Sequence, residues 1–171
     1  MSKSNGRVTD IFRQNEIVEL STGVKVKFNV APRMLLEQAI LNVDFPEVPV
    51  QTLEDGRQVE NPNHPEYLKA RIDAINKQGD ASIDVMIAFV DLVDGLPKDD
   101  DWIKRIDYLT RLGHIDLGNY NLEDELDKEF VYKKYIAFGR TDLNKLTSSN
   151  RITEEDRQTA KDSFQGDAES D

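Results

Sequence analysis

The chain has no cysteine, which excludes disulfides, thiolate zinc sites and cysteine nucleophiles together. Histidine is nearly absent. His64 and His114 stand at no metal-type spacing from each other or from carboxylates, so capping or solvent roles suit them best. The nine glycines are scattered singly at turns and caps, which leaves no glycine-rich phosphate loop. No G-x-S-x-G elbow or S-x-x-K pattern supplies an activated serine. No apolar run approaches the ~20 residues of a membrane span, and the opening Met-Ser-Lys-Ser-Asn-Gly-Arg has no apolar signal core. These absences set the expectation of a soluble cytosolic protein, not an enzyme, with no catalytic residue, metal or cofactor.

Charge is abundant and lopsided. Over 171 residues, 22 basic side chains oppose 33 acidic ones, a net charge of −11. Residues 1–30 hold five bases (Lys3, Arg7, Arg13, Lys25, Lys27) against three acids (Asp10, Glu16, Glu19), which leaves −13 for the remainder. An acidic body repels phosphate backbones, so nucleic acid is not an expected partner. Solubility is the plain reason for such a surface, and a basic protein partner the alternative.

Proline is concentrated. Four of the six prolines (Pro46, Pro49, Pro62, Pro65) bracket an Asp55-Gly56 turn signal between Phe45 and Tyr67. Proline fixes its own φ and pushes the preceding residue towards extended geometry, so this stretch reads as a non-helical arm. Asp-Gly between Val50–Leu53 and Arg57–Val59 is the cue for a second hairpin within it. Long loops on small domains commonly contact partners. Pro46, Val48, Pro49, Val50, Leu53, Pro62, Pro65 and Tyr67 are therefore the expected partner-binding residues.

Around the arm, Ile17–Leu20 and Val24–Phe28 read as a hairpin, with Val24, Val26 and Phe28 alternating against Lys25 and Lys27. Pro32 opens a helix through Leu41. A long helical pattern then runs from about Glu66 to Val93, with Gln78-Gly79-Asp80 as a break or kink. Its apolar run Ile83–Val93 marks a buried central helix, ended by Gly95 and Pro97. Further helices are expected after Asp99–Asp101 with inner residues Trp102, Ile106 and Leu109, and over Leu122–Phe138 capped by Asn121, with inner residues Leu122, Leu126 and Phe130. A short helix is expected over Thr141–Leu146 and a last one from the capping box at Thr153 to Phe164. The expected fold class is α+β, mainly α: an N-terminal β-hairpin, the arm, and a bundle of four to five helices. The expected organisation is a disordered tail over 1–14, one domain over 15–146 with the arm at 45–65, and a C-terminal helix with an acidic tail over 147–171.

Two constellations invite chemistry. The central helix carries Asp80, Asp84, Asp91 and Asp94, spaced so that they fall near one face, and they could bind a divalent ion or work as an acid/base pair. The solvated face of a buried helix accounts for them more simply. Lys104-Arg105 and Lys133-Lys134 read as solvated basic pairs.

Asn61-Pro-Asn-His-Pro-Glu-Tyr-Leu68, preceded by Pro46-Glu-Val-Pro49 and a glycine turn, resembles a pattern of small tail-region proteins of long-tailed bacteriophages. Arg151-Ile-Thr-Glu-Glu-Asp156 followed by Ala160 and Phe164 is similar to their closing helix. The best-known class is the tail assembly chaperone. The resemblance implies a non-enzymatic protein that coats the tape-measure protein and helps recruit tail-tube subunits in the cytoplasm of the infected bacterium. A head–tail connector or tail-completion protein is the alternative, and a homo-oligomer is compatible with both.

Overall fold

The computed structural model describes residues 12–150. The expected features in 1–11 and 151–171, including the closing helix and acidic tail, lie outside them. The fold is α+β and mainly α. Strand β1 (Ile17–Glu19) pairs antiparallel with β2 (Lys25–Lys27), and β2 pairs antiparallel with β5 (Asp91–Leu92), giving the order β1-β2-β5. Between them come α1 (Arg33–Leu41), the hairpin β3 (Val50–Thr52) with β4 (Gln58–Glu60), and α2 (Pro65–Ala88). After β5 come α3 (Asp101–Arg111), α4 (Glu125–Tyr132) with a π-helical extension Lys133–Ala137, and α5 (Arg140–Ser149).

The core lies between the three-stranded sheet and the helices. Val26 and Phe28 from β2 and its exit meet Ile87 near the end of α2, Val90 just beyond it, Ile106 of α3, Val131 of α4 and Leu146 of α5, all fully buried. Phe12 packs on Phe28 with centroids 5.6 Å apart and the rings tilted by 54°, so the core includes Phe12. Trp102 and Tyr132 pack edge to face at 5.1 Å, an arrangement that suits opposed ring quadrupoles.

Helix α2 corrects two expectations. Gly79 neither breaks nor visibly divides it. It also stops at Ala88, short of Val93, and the chain turns through Phe89 and Val90 into β5. The run Ile83–Val93 is apolar all round because it changes from helix to strand, presenting Met86 and Ile87 and then Val90 to one core. Gly95, with φ +69°, serves the turn after β5 and not a helix cap. Helix α3 closes as expected: His114 N–H donates to the Leu109 carbonyl and Gly113 N–H to that of Thr110, a Schellman ending around Gly113.

Helix α4 starts three residues later than its expected Leu122. Asp124, not Asn121, caps it, accepting from the amides of Leu126 and Asp127. Leu126 is 79% exposed, and the buried positions are Val131, Tyr132 and, in the π segment, Lys133 and Ala137. A π turn adds a residue to the helical circuit and rotates the side chains beyond it. The pair Lys133-Lys134, expected to be solvated, is structural. Lys133 Nζ is buried, donates to the Val90 carbonyl at 2.7 Å and pairs with Glu129 at 3.0 Å. Lys134 Nζ lies 2.8 Å from both carboxylate oxygens of Asp84.

The turn of the first hairpin is latched to α5. Asp142, buried, accepts from Ser21 N–H (3.1 Å), Ser21 Oγ (2.5 Å) and Gly139 N–H (3.0 Å). Thr22 Oγ1 donates to the Ala137 carbonyl.

Candidate interaction surface

The two hairpins turn by the same local chemistry. Leu20 N–H donates to the Val24 carbonyl and Gly23 N–H to that of Leu20; Leu53, Arg57 and Gly56 repeat the pattern. Gly23 and Gly56 have φ +86° and +82°, the left-handed geometry that completes a three-residue hairpin loop and that glycine adopts without a Cβ clash. Their environments differ. The first turn is held by Asp142 and its strand β2 is flanked by β5. In the second, every residue of β3 and β4 is exposed. Asp55 locks that turn from within, its carboxylate accepting from the backbone and then the side chain of Arg57, which holds it below the usual carboxylate range.

The structure brings the expected contact residues into one arm but grades their exposure. Val50 is 59% exposed, and Pro62 and Pro65 are exposed. Pro46, Val48, Pro49, Leu53 and Tyr67 are half-buried. Pro65 opens α2, where its missing N–H costs nothing. His64 stands at the N-cap without a side-chain capping bond, and His114 is exposed.

Sequence reasoning missed the helical pair that carries the arm. α2 runs antiparallel to α1: Gln78 Nε2 donates to the Ile40 carbonyl (3.4 Å), while Asp44–Pro46 lie beside Ala70–Lys77. Helix α1 buries none of its residues, and of α2 before residue 80 only Ala74 is buried. Met34 (73%), Leu41 (82%), Ile72 (59%), Ile75 (49%) and Phe45 (46%) are left in solvent. The signal was available in Met34-Leu-Leu and in Leu68, Ile72 and Ile75, but periodicity reports an apolar face without saying what covers it.

A depression of ≈ 660 Å³ lies between α2 and α4 over Val85, Ala88, Leu126 and Phe130. Each carboxylate around it already has a partner within the fold. Asp84 is bridged by Lys134 and Glu129 by Lys133; Asp91 accepts from Asn29 Nδ2 (2.8 Å) and Asp127 from Asn121 N–H (2.8 Å). Burial works to lower the Lys134 ammonium, but the hydrogen bond and charge of Asp84 outweigh it and hold it above its ordinary value. Burial, and then the charge of Asp84, raises the Tyr120 hydroxyl. Asp80 and Asp84 lie on α2 while Asp91 is on a strand and Asp94 in the turn beyond it, so the four do not share a helical face. Among the described residues no group of three or more His, Asp or Glu is placed to hold a metal ion.

Comparison with protein-family models, curated proteins and solved structures gives no match to this chain.

Proposed function

We propose that this chain is a phage tail assembly chaperone, a non-catalytic protein that holds aggregation-prone segments of the tape-measure protein and helps bring tail-tube subunits to it in the infected cytoplasm. The observation that carries the reading is the unburied apolar surface of α1, the arm and the first half of α2, with Met34, Leu41 and Ile72 more than half exposed. Large apolar side chains left exposed together on neighbouring elements suit an interaction site. The acidic balance of the chain keeps such a surface from driving self-precipitation. The test is co-expression with the tape-measure protein of the same phage. The chaperone should raise its soluble yield and co-purify with it; failure to do either ends the reading.

A second reading, a head–tail connector or tail-completion protein, is favoured by the arm alone. A two-stranded hairpin without a third strand is marginal in water, and β3–β4 has both outer edges unpaired among the described residues, as suits an arm that reaches into a neighbouring subunit. Mass spectrometry of purified virions separates the two. A connector is present in ring stoichiometry, whereas a chaperone is scarce or missing.

A further inference from the structure

We propose that the stretch following Asn150, residues 151–164, docks in cis on the outer face of α1 and covers Val30, Met34 and Leu41. The inference rests on the reading that this apolar surface receives a partner, and it adds the regulation of that surface: a cover that the partner displaces. The occupant is chosen by where the described chain ends. Asn150 Oδ1 accepts from Ala31 N–H at 3.0 Å, and Ser149 Oγ accepts from Phe12 N–H at 2.6 Å. The chain therefore leaves α5 beside Ala31, one residue before Pro32, the N-cap of α1. Val30, Met34 and Leu35, all within four residues of Ala31, are exposed. Ile152, the first apolar residue beyond α5, is tethered within about 7 Å of that junction.

Length and charge agree with this occupant. The sequence pattern predicts a helix from Thr153 to Phe164, and a helix that starts beside α1 keeps pace with it. Ala160 stands ten residues beyond Asn150 and Leu41 ten beyond Ala31, so both lie roughly 15 Å from the junction. Among the described residues within five positions of Phe12, Ala31 and Asn150 stand Arg13, Lys27, Arg33 and Lys145 against Glu16. Setting Glu37 against Arg33, and Asp91 against its register partner Lys27, still leaves a local charge of +1. Helix α1 has no acid in its first turn, whereas residues 151–156 carry Glu154, Glu155 and Asp156 against Arg151. Negative charge is favoured at a helix start. The stretch before Phe12 joins the same place but carries Lys3 and Arg7 against Asp10, the sign of the junction itself. Ile152, Ala160 and Phe164 are few apolar contacts, which makes the cover one that a partner can displace.

The absence of cysteine allows the full chain to be cross-linked selectively. Leu41→Cys with Ala160→Cys, or with Phe164→Cys one turn on, should form an intramolecular disulfide on mild oxidation, identified by mass spectrometry. Leu126→Cys with Ala160→Cys, on the exposed start of α4, should form at least ~5-fold less, because only the tether's effective concentration favours it. Ile152→Glu with Phe164→Glu should quicken amide exchange in α1 at least ~3-fold, with the Trp102 emission unchanged. Bridging no better than the Leu126→Cys control, or α1 exchange unmoved by the double Glu variant, overturns the proposal. So does a bridge formed only between chains, which assigns the face to a second copy, or one formed to Val8→Cys instead, which assigns it to the N-terminal stretch. Capture of the tape-measure protein distinguishes the two levels. Capture that the Leu41–Ala160 bridge leaves undiminished removes the cover and keeps the chaperone reading, whereas bridging and quickened exchange without capture by any variant do the reverse.

Discussion

Asp142 shows how one buried side chain closes this fold. Its carboxylate joins the Ser21 turn to the start of α5, and its removal leaves the Ser21 and Gly139 amides without their acceptor in a closed site. Asp142→Ala should cost about 2–4 kcal/mol, the penalty of orphaning buried groups of a charged network, measured by urea unfolding. The single tryptophan is the probe: Trp102 is buried against Tyr132 and reports loss of the core directly. Titration gives a second prediction at this scale. Lys134, Tyr120 and Tyr132 all hold their protons more tightly when folded, through Asp84 in the first case and chiefly burial in the other two. A raised folded pKa contributes stability that is complete below the unfolded value and lost as pH climbs through the folded one. The thermal midpoint should therefore hold from neutral pH to about pH 9 and fall above about pH 10, and Asp84→Asn should flatten the part due to Lys134.

At the scale of elements, α2 is one helix with two lives. Its last turns pack in the core, while its first half touches chiefly α1. Gly79 sits in the exposed middle with free space where a Cβ would go. Gly79→Ala should raise stability by about 0.4–1 kcal/mol through lost unfolded-state freedom, read from the denaturation midpoint. The arm is separable. Pro49 and Asn61 are already joined by a 2.7 Å hydrogen bond, and no core residue lies between 50 and 60. Deleting residues 50–60 should leave the tryptophan emission and the cooperative transition in place and abolish capture of the proposed tape-measure partner; a chain that no longer folds would make the hairpin part of the core.

For the whole molecule, burial is uneven, and so must be resistance to opening. Amides of α1 and of α2 up to about residue 78 should exchange with solvent well before those of β2, Ile87 and Ile106, because few buried contacts oppose local opening there; partner binding should slow the first group selectively. Composition and pattern were enough for the mainly α fold with its N-terminal hairpin, for the proline-bracketed arm and its Asp55-Gly56 turn, and for the Gly113 helix ending, since each depends on local backbone sterics and capping. Tertiary structure decided where α2 ends, because Asp91-Leu92 becomes a strand only when β2 offers its edge. It buried Lys133 with its Nζ on the Val90 carbonyl and paired Asp84 with Lys134. It also decided which apolar faces stay open. A stripe at helical spacing looks the same in sequence whether a core covers it, as at Met86 and Ile87, or none of the described residues does, as at Ile72 and Ile75; burial belongs to what packs opposite, which no local stretch encodes.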